Sequence, residues 1–484
     1  MIKWGLGLAA TLCVLGATVS VWLWQTFQLP APPEPTTTGF VLSDVVIINP
    51  MIDRSAPTSL TVSDGVISLQ TNKGDLSTLD VFSGRYVLPG FIDMHTHLPG
   101  DNALKLTQHY GLLHLAHGVT TIRDAGDIDG TAVPAARALI ADGGLFPDLI
   151  SCGPFVSSGV SVWPNSVQYT HTEQAPQVVA AIAAAGHGCI KSYEGLTPQL
   201  ISALVAAASA EGLHVIGHVP IDFTIEQAGV PDVQHFFGVP EPSTLGGESV
   251  VYRNGDWSGV DEERLRTVVT SIIASGIKNT PTMTTLQGFL GFAHYTEASA
   301  LSDQVMPSFY SAIVWNPKSG LPVYRDLPTD RFAGAAEALR KKQALAKRLS
   351  DGGAILHIGT DVGQPFTAPG VSFWREMRLF EEAGISAEQV LAYATNVAGA
   401  SLGADVGVIA DGAPADFLVF REDPTKSLDA LESLEAVVLN GQLFTKAELD
   451  KAVYASLAHY EAWPMRSIAR SAAQRTIDET AKNF

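Results

Sequence analysis

The chain has few cysteines and no cysteine motif. Its 484 residues include only Cys13, Cys152 and Cys189, too few for the disulfide framework that supports small secreted domains. No Cys-x-x-Cys pair is present, which excludes zinc and redox motifs built from such pairs. Cys152 and Cys189 could pair in an oxidising compartment, but we expect both to be free buried thiols.

Basic residues are scarce relative to acidic ones. The chain has 30 lysines and arginines against 49 aspartates and glutamates, a formal net charge of -19. A nucleic-acid partner needs a basic surface to neutralise phosphates, so this balance argues against one. Charged residues make up only 16% of the chain and hydrophobic ones 46%, enough for a large buried core.

Charge is absent altogether from residues 4–24. As a helix this segment would extend about 32 Å, at about 1.5 Å per residue, and could cross a bilayer. Trp22 and Trp24 lie where interfacial aromatic residues lie in membrane helices. We expect residues 1–28 to be an inner-membrane anchor, with a cleaved signal peptide as the alternative. Either one places the rest of the chain in the periplasm, because Lys3 stays on the cytoplasmic side.

Strand-like segments flank a long middle region. Residues 29–39 are rich in proline and predict a stiff linker. Residues 40–86 and 404–446 carry alternating and β-branched apolar residues, which predicts one small β-sandwich domain built from both segments. Residues 447–484 are expected to form a C-terminal helical extension.

Residues 87–403 alternate short apolar strands with helices, which predicts an α/β fold, a (β/α)8 TIM barrel. The predicted strands are 87–95, 119–124, 149–153, 189–193, 214–219, 233–236, 278–282 and 354–360. Residues 285–328 depart from the pattern and are rich in aromatic residues. They are either a lid over the active face or a packed peripheral insertion.

Two histidines end the first predicted barrel strand. His95 and His97 are two residues apart, so on a strand both side chains point to the same face. Imidazole is the commonest protein ligand of transition metals, although a lone His-x-His pair also occurs without a metal. Four more histidine, lysine or aspartate side chains would each be unremarkable alone, but four other predicted strands each supply one of them near the carboxyl end. The candidate ligands at the carboxyl ends of the strands, where barrels place their chemistry, are His95, His97, Lys191, His218, His235 and Asp361.

In these motifs the chain resembles the amidohydrolase superfamily, and within it the imidazolonepropionase-like and prolidase-like branch. The resemblance extends from residue 41 to about residue 445. The motifs that carry it are residues 89–97 (PGFIDMHTH), 118–124 (GVTTIRD), 190–193 (IKSY), 217–220 (GHVP), 234–236 (QHF), 359–361 (GTD) and 407–420 (GVIADGAPADFLVF).

The resemblance implies a centre of two divalent metal ions. His95, His97 and Asp361 would hold one ion, and His218 and His235 would hold the second. Zinc suits these nitrogen and oxygen ligands, and manganese, iron and cobalt are compatible with them.

Lys191 would bridge the two ions as a carbamate formed with CO2. An unmodified lysine is cationic and would repel two metal ions, which gives the carbamate a physical reason. The alternative is a buried lysine that pairs with Asp361.

The implied reaction is hydrolysis of an amide or peptide-like C–N bond in a small molecule, such as a dipeptide or an N-acyl amino acid. A metal-activated hydroxide would attack, with Asp361 as general acid and base. The same site would serve a cyclic-amide, lactone or carbamate hydrolase. A third hypothesis is an inactive, metal-stabilised binding protein at the cell envelope. The sequence also leaves a homo-oligomer open.

Tyr193 and Trp374 are weaker candidates. Tyr193 shares a strand face with Lys191 and could donate a hydrogen bond to a developing oxyanion, or simply pack beside the site. Trp374 is a candidate substrate contact, at a position where members of the branch often carry histidine. This departure leaves the substrate preference open.

Two arginines are candidate anchors for a substrate carboxylate. Arg123 could fill that role or pair with Asp124 or Asp127. Arg325, in the aromatic segment, is a similar candidate, with full solvation as the alternative.

Overall fold

A computed structural model of the protein describes residues 20–22, 25–69, 76–159, 161, 163–245, 250–293, 295, 305–325 and 334–482. Of the predicted membrane segment, all but residues 20–22 lie outside these ranges, and so does part of the aromatic segment. Among the described residues, no helix has both the length and the apolar character that crossing a membrane requires.

Both ends of the chain contribute to one nine-stranded sheet. Its alternating apolar residues pack on one face into a separate core that includes Phe40, Leu60 and Phe417. The strands along the main path are, in spatial order, Gln442–Thr445, Leu434–Leu439, Phe417–Phe420, Tyr86–Pro89, Phe40–Asn49, Thr58–Ser63 and Val66–Ser68. The short strands Asp53–Arg54 and Ser77–Thr78 also pair with the strand Phe40–Asn49. The domain bounds drawn from the sequence stay predictions.

The middle of the chain forms a ring of parallel strands. In chain order, the first seven barrel strands are Phe91–Thr96, Val119–Asp124, Asp148–Ser151, Cys189–Ser192, His214–Gly217, Asp232–Gln234 and Lys278–Thr280. The third and fourth are joined by a hydrogen bond from Gly188 N to Ser151 O, 2.9 Å. Two further strands, Phe155–Ser157 and Ser166–Gln168, extend the sheet beside the fourth.

An extended segment closes the ring as the eighth barrel strand. Leu356 pairs with Asn279 of the seventh strand, and Val362 pairs with Thr96 of the first. Met94 N also donates a hydrogen bond to Ile358 O, 3.0 Å. The carboxyl ends of all eight strands therefore meet at one rim, and the mixed α/β class predicted from the sequence is confirmed.

Helices follow most barrel strands and pack outside the ring. Local signals set their ends: Thr197 caps a helix whose first residue is Pro198, and Asp261 caps another. The α-helices are Leu106–Ala116, Ala132–Ala141, Ala175–Ala184, Pro198–Ala210, Ile225–Ala228, Val250–Gly255, Glu262–Ser275, Thr284–Ala293, Ala335–Asp351, Val371–Glu382, Ala387–Ala394, Asn396–Leu402, Lys446–Glu461 and Met465–Thr480.

Cys152 and Cys189 form a disulfide, so the expectation of two free thiols was wrong. Cys152 directly follows the third barrel strand and Cys189 begins the fourth. Pairing of these neighbouring strands brings the two Cα atoms to 4.2 Å from each other. The separation of 37 residues along the chain gave no sign of this contact.

Candidate metal centre

The first and eighth barrel strands bring two histidines and an aspartate together. His95 Nε2 and His97 Nε2 lie 3.4 Å apart. Asp361 Oδ1 is 3.2 Å from the first of these nitrogens and 3.3 Å from the second. Backbone hydrogen bonds from Thr360 N and Asp361 N to His95 O, 2.9 and 2.7 Å, fix the eighth strand against the first. Two imidazoles and a carboxylate therefore lie in mutual contact in the buried interior.

The fifth and sixth strands add two more histidines to this group. The His235 ring centroid is 4.8 Å from that of His95 and 5.0 Å from that of His218. One ligand atom each from His95, His235 and Asp361 can be chosen so that all lie within 4.8 Å of one another. Such a cluster of buried nitrogen and oxygen donors is the geometry of a metal site.

Lys191 lies fully buried on the fourth strand, which pairs with the fifth strand that leads to His218. Its ammonium donates a hydrogen bond to Gln234 Oε1, whereas the sequence suggested Asp361 as its partner if unmodified. Burial lowers the pKa of Lys191 to about 7. Its charge is close enough to lower the pKa of His95 and His218 further. All six candidate ligands are thus brought together, while their roles as ligands stay predictions.

Hydrogen bonds to the Nδ1 atoms of three rings suit metal binding, and of these atoms His235 Nδ1 also lies 3.9 Å from Asp361 Oδ2. In each, Nδ1 faces an oxygen that can accept its proton, which leaves the Nε2 lone pair free for a cation. The pairs are His97 with Gly126 O at 2.9 Å, His218 with Glu194 Oε1 at 2.9 Å, and His235 with Thr282 Oγ1 at 2.6 Å.

The protonation states of the cluster also fit a cation. Burial lowers the pKa of His95 to about 3 and holds that of His235 well below its usual value. Burial alone would raise the pKa of Asp361, but the adjacent His95 and His235 rings hold it well below its usual value. Neutral imidazoles at His95, His218 and His235 around an ionised carboxylate are the forms that bind divalent metals. His97 differs, because burial would lower its pKa but the adjacent Asp361 carboxylate raises it.

Glu194 is a site residue that the sequence analysis missed. Its Oε1 accepts hydrogen bonds from His218 Nδ1 and, at 2.6 Å, from Arg253 Nη1. Arg253 also donates to Val219 O and lies over the Phe237 ring, 4.3 Å from its centroid. The available signal was a carboxylate directly after the strand that carries Lys191.

Tyr193 lies beside the cluster, where the sequence placed it. Its ring centroid is 4.6 Å from that of His218, and its hydroxyl accepts a hydrogen bond from Trp163 Nε1 at 3.0 Å. Burial raises the pKa of Tyr193 well above its usual value. The hydroxyl therefore keeps its proton at neutral pH and can donate it in a hydrogen bond.

Arg123 lies inside the barrel, in an ion pair that the sequence analysis did not anticipate. Its Nη1 donates to Asp232 Oδ2 at 2.8 Å, and its Nε donates to Met94 O at 2.7 Å. The expected partners, Asp124 and Asp127, were wrong, because barrel closure places Asp232 across the interior from Arg123. These contacts make Arg123 part of the barrel interior.

The described contacts of Trp374 lie outside the cluster, and the role predicted for Arg325 stays a prediction. The indole N–H of Trp374 donates to His117 O at 2.9 Å, and its ring also packs on His117, next to the start of the second strand. Arg325 lies half-buried at the end of the described stretch 305–325.

The described part of the aromatic segment packs against the loop that follows Asp361. Tyr324 donates a hydrogen bond to Gln364 Oε1, and Gln364 N donates to Asp361 O at 3.2 Å. The rings of Phe292 and Trp315 lie 5.2 and 5.5 Å from that of Phe366 in the same loop. This segment therefore packs against the rim of the site. That position fits both predicted roles, a lid over the active face and a packed peripheral insertion.

The amidohydrolase family model matches residues 86–444. Among solved structures, a bottromycin amidohydrolase is similar at 22% identity and a TM-score of 0.66, over 90% of this chain and 92% of that one. A putative prolidase from Bifidobacterium longum is similar at 22% identity and a TM-score of 0.59, over 87% of this chain and 100% of that one. A Xaa-Pro dipeptidase with bound methionine is similar at 18% identity and a TM-score of 0.58, over 84% of this chain and 100% of that one. No curated protein sequence matches the chain.

Proposed function

Because the chain belongs to the amidohydrolase family and is therefore a hydrolase of C–N bonds, we propose that it cleaves the amide or peptide-like bond of a dipeptide or an N-acyl amino acid. The observation that carries this proposal is the buried convergence of four histidines on an ionised Asp361. The prolidase and dipeptidase structures of similar fold support the choice of substrate class.

The six-residue cluster would hold two divalent metal ions, for which zinc is the proposed identity. His95, His97 and Asp361 would bind one ion, and His218 and His235 the other. Ions bound here would supply a hydroxide at neutral pH and polarise the substrate carbonyl. The fit rests on the buried convergence of the rings on Asp361 and on the lowered pKa of His95, His218 and His235.

Lys191 is proposed to link the two halves of the cluster as a carbamate. Only a neutral amine can add to CO2, and burial lowers the pKa of Lys191 to about 7, where that form is accessible. The carbamate would replace a buried cation by an anion with two oxygen ligands.

Asp361 and Tyr193 are proposed to act on the reacting groups. Because its pKa lies well below the usual value, Asp361 is ionised and can take a proton from the attacking water. It then returns this proton to the leaving nitrogen. The Tyr193 hydroxyl would donate a hydrogen bond to the oxyanion that forms at the carbonyl, a role that its position beside His218 supports.

We also propose that the chain matures in an oxidising compartment. The Cys152–Cys189 disulfide supports this, since such bonds persist mainly outside the reducing cytosol. The charge-free segment 4–24 supports export of the rest of the chain to the periplasm, either as a membrane anchor or as a cleaved signal peptide. Membrane attachment and a homo-oligomer stay predictions.

A substrate panel tests the proposed reaction. Protein reconstituted with Zn²⁺ is assayed against dipeptides, N-acyl amino acids, cyclic amides and lactones, alongside the Asp361→Asn variant. We expect release of free amine that falls by about 10²–10⁴-fold in the variant, the range for a lost general acid and base. Turnover of lactones or cyclic amides alone would favour the ring-opening alternative. Absence of any Asp361-dependent turnover would favour the binding protein.

A further inference from the structure

Several buried residues at or near the metal centre have left-handed backbone although none is glycine. The φ angles are 62° at His235, 54° at Phe236, 48° at Thr282, 55° at Asp361 and 58° at Phe366. Among the described non-glycine residues with such angles, Thr282 is the only one with a β-branched side chain, for which this conformation is unfavourable. Strain of this kind persists only where the surroundings enforce it, and it concentrates at functional sites.

The strain at Thr282 is coupled to one specific contact. Thr282 follows the seventh barrel strand, is fully buried, and places its hydroxyl 2.6 Å from His235 Nδ1. The imidazole can donate its Nδ1 proton to this oxygen, which fixes the tautomer with a free Nε2. The hydroxyl thus sets both the rotation and the protonation pattern of the ring.

Two buried ionisable groups hold the backbone on either side of this contact. Glu376 accepts hydrogen bonds from Met283 N at 2.9 Å and Thr284 N at 2.7 Å, directly after Thr282. Lys342 donates to His235 O at 2.9 Å and to the side chain of Asn254. Glu376 and Lys342 are both fully buried and come from different helices. Burying such groups is costly, and both engage the backbone of the strained segments.

We propose that Thr282 is a positioning residue for His235, and that Lys342 and Glu376 hold the two strained segments that bring them together. This inference rests on the proposed role of His235 as a metal ligand. It assigns functions to residues of the seventh strand and of two outer helices that carry none of the six candidate ligands.

Titration of the metal-free protein with Zn²⁺ tests the role of the hydroxyl. Thr282→Val keeps the branched shape and removes the hydroxyl, whereas Thr282→Ser keeps the hydroxyl. We expect Thr282→Val to weaken the affinity for one Zn²⁺ by about 10–100-fold, with Thr282→Ser restoring it to within about threefold of wild type. Thr121→Val is the matched control, because Thr121 is buried on the second strand with no hydrogen-bond partner for its hydroxyl.

The melting temperature of the metal-free variants separates positioning from folding. Thr282→Val should melt slightly below wild type, because His235 Nδ1 loses its acceptor, but should stay folded at the titration temperature, whereas Thr121→Val should match wild type in both melting temperature and Zn²⁺ affinity. Unchanged affinity in Thr282→Val, or an equal loss in Thr282→Ser, would overturn the inference. His235→Asn distinguishes the two levels of the argument: if it loses Zn²⁺ and Thr282→Val does not, only the positioning role fails. If His235→Asn itself binds Zn²⁺ normally, the ligand role and the positioning role both fail.

Discussion

The two halves of the metal centre are supported in different ways. In the half formed by His95, His97 and Asp361, the main supports are hydrogen bonds between the first and eighth strands, such as those from Thr360 N and Asp361 N to His95 O. In the half formed by His218 and His235, each ring rests on a side chain from another element. Backbone hydrogen bonds also hold the second half in the barrel, because His218 N donates to Ser192 O at 3.1 Å and His235 N donates to Thr280 O at 2.9 Å. The halves therefore differ in the support of their rings: His97 Nδ1 faces the backbone oxygen of Gly126, whereas the rings of the second half depend on individual side chains.

This difference teaches where the site should tolerate change. Damage to the first half also breaks hydrogen bonds that close the barrel, so fold and metal binding should suffer together. Damage to the supports of the second half removes only the orientation of a ring. Metal affinity should then fall while the fold stays intact.

Lys191→Met should give the largest effect, because Lys191 is proposed to bridge the two halves and would serve both. We expect a loss of bound Zn²⁺ and of activity greater than the about 10–100-fold that follows loss of a residue behind a ligand. Zinc content per chain is the measurement, with native mass spectrometry in bicarbonate to detect bound CO2 in the wild type. Lys347→Met, on an exposed pair with Asp351, is the control. Two Zn²⁺ ions and normal turnover in Lys191→Met would refute its bridging role.

Asp93→Ala tests the first half. Asp93 accepts hydrogen bonds from His95 N, Thr360 N and the Thr360 hydroxyl, at 3.1, 3.2 and 2.7 Å. Removal of the Asp93 carboxylate should lower the free energy of unfolding by about 1–3 kcal/mol for each buried donor left unpaired. It should also weaken Zn²⁺ binding. Asp93→Asn keeps an acceptor oxygen and should lose much less. Equal melting temperatures for these two metal-free variants would show that the first half does not depend on these bonds.

The disulfide tests whether the strand under Lys191 needs covalent support. Replacing Cys152 and Cys189 with alanine should lower the free energy of unfolding by about 2–4 kcal/mol and leave Zn²⁺ binding intact, since neither sulfur is a candidate ligand. Reductant should lower the melting temperature of the wild type and leave the double variant unchanged. Loss of Zn²⁺ in the double variant would instead tie the disulfide to the metal centre.

Glu194→Gln tests the second half and should give the smallest change. The charge behind His218 is lost, so we expect Zn²⁺ affinity to fall by about 10–100-fold. The melting temperature without metal should fall only slightly, because the Glu194 side chain is 30% exposed and glutamine keeps an acceptor oxygen for Arg253 Nη1. Glu422→Gln, at an exposed glutamate outside the site, is the control. If Glu194→Gln unfolds like Asp93→Ala, the contrast between the halves is wrong.

Much of the cluster was predictable because its six side chains end apolar strands, and barrel topology brings such ends together. Glu194 was missed because a carboxylate after a strand looks the same in sequence whether it faces a histidine or water. Thr282 was missed because one threonine carries no motif. The predicted partners of Arg123 were wrong because the true partner, Asp232, lies 109 residues away in the chain. No local sequence feature distinguishes Asp232 from the aspartates that lie nearer to Arg123.

The sequence by itself determined the α/β class, the strand ends and the common face of His95 and His97. These follow from periodicities of two and about 3.6 residues, which act over a few neighbouring positions. Only the tertiary structure decided that Cys152 bonds Cys189, that Glu194 faces His218 and that Thr282 is strained against His235. Such contacts join residues far apart in the chain, and closure of the barrel fixes which of them meet.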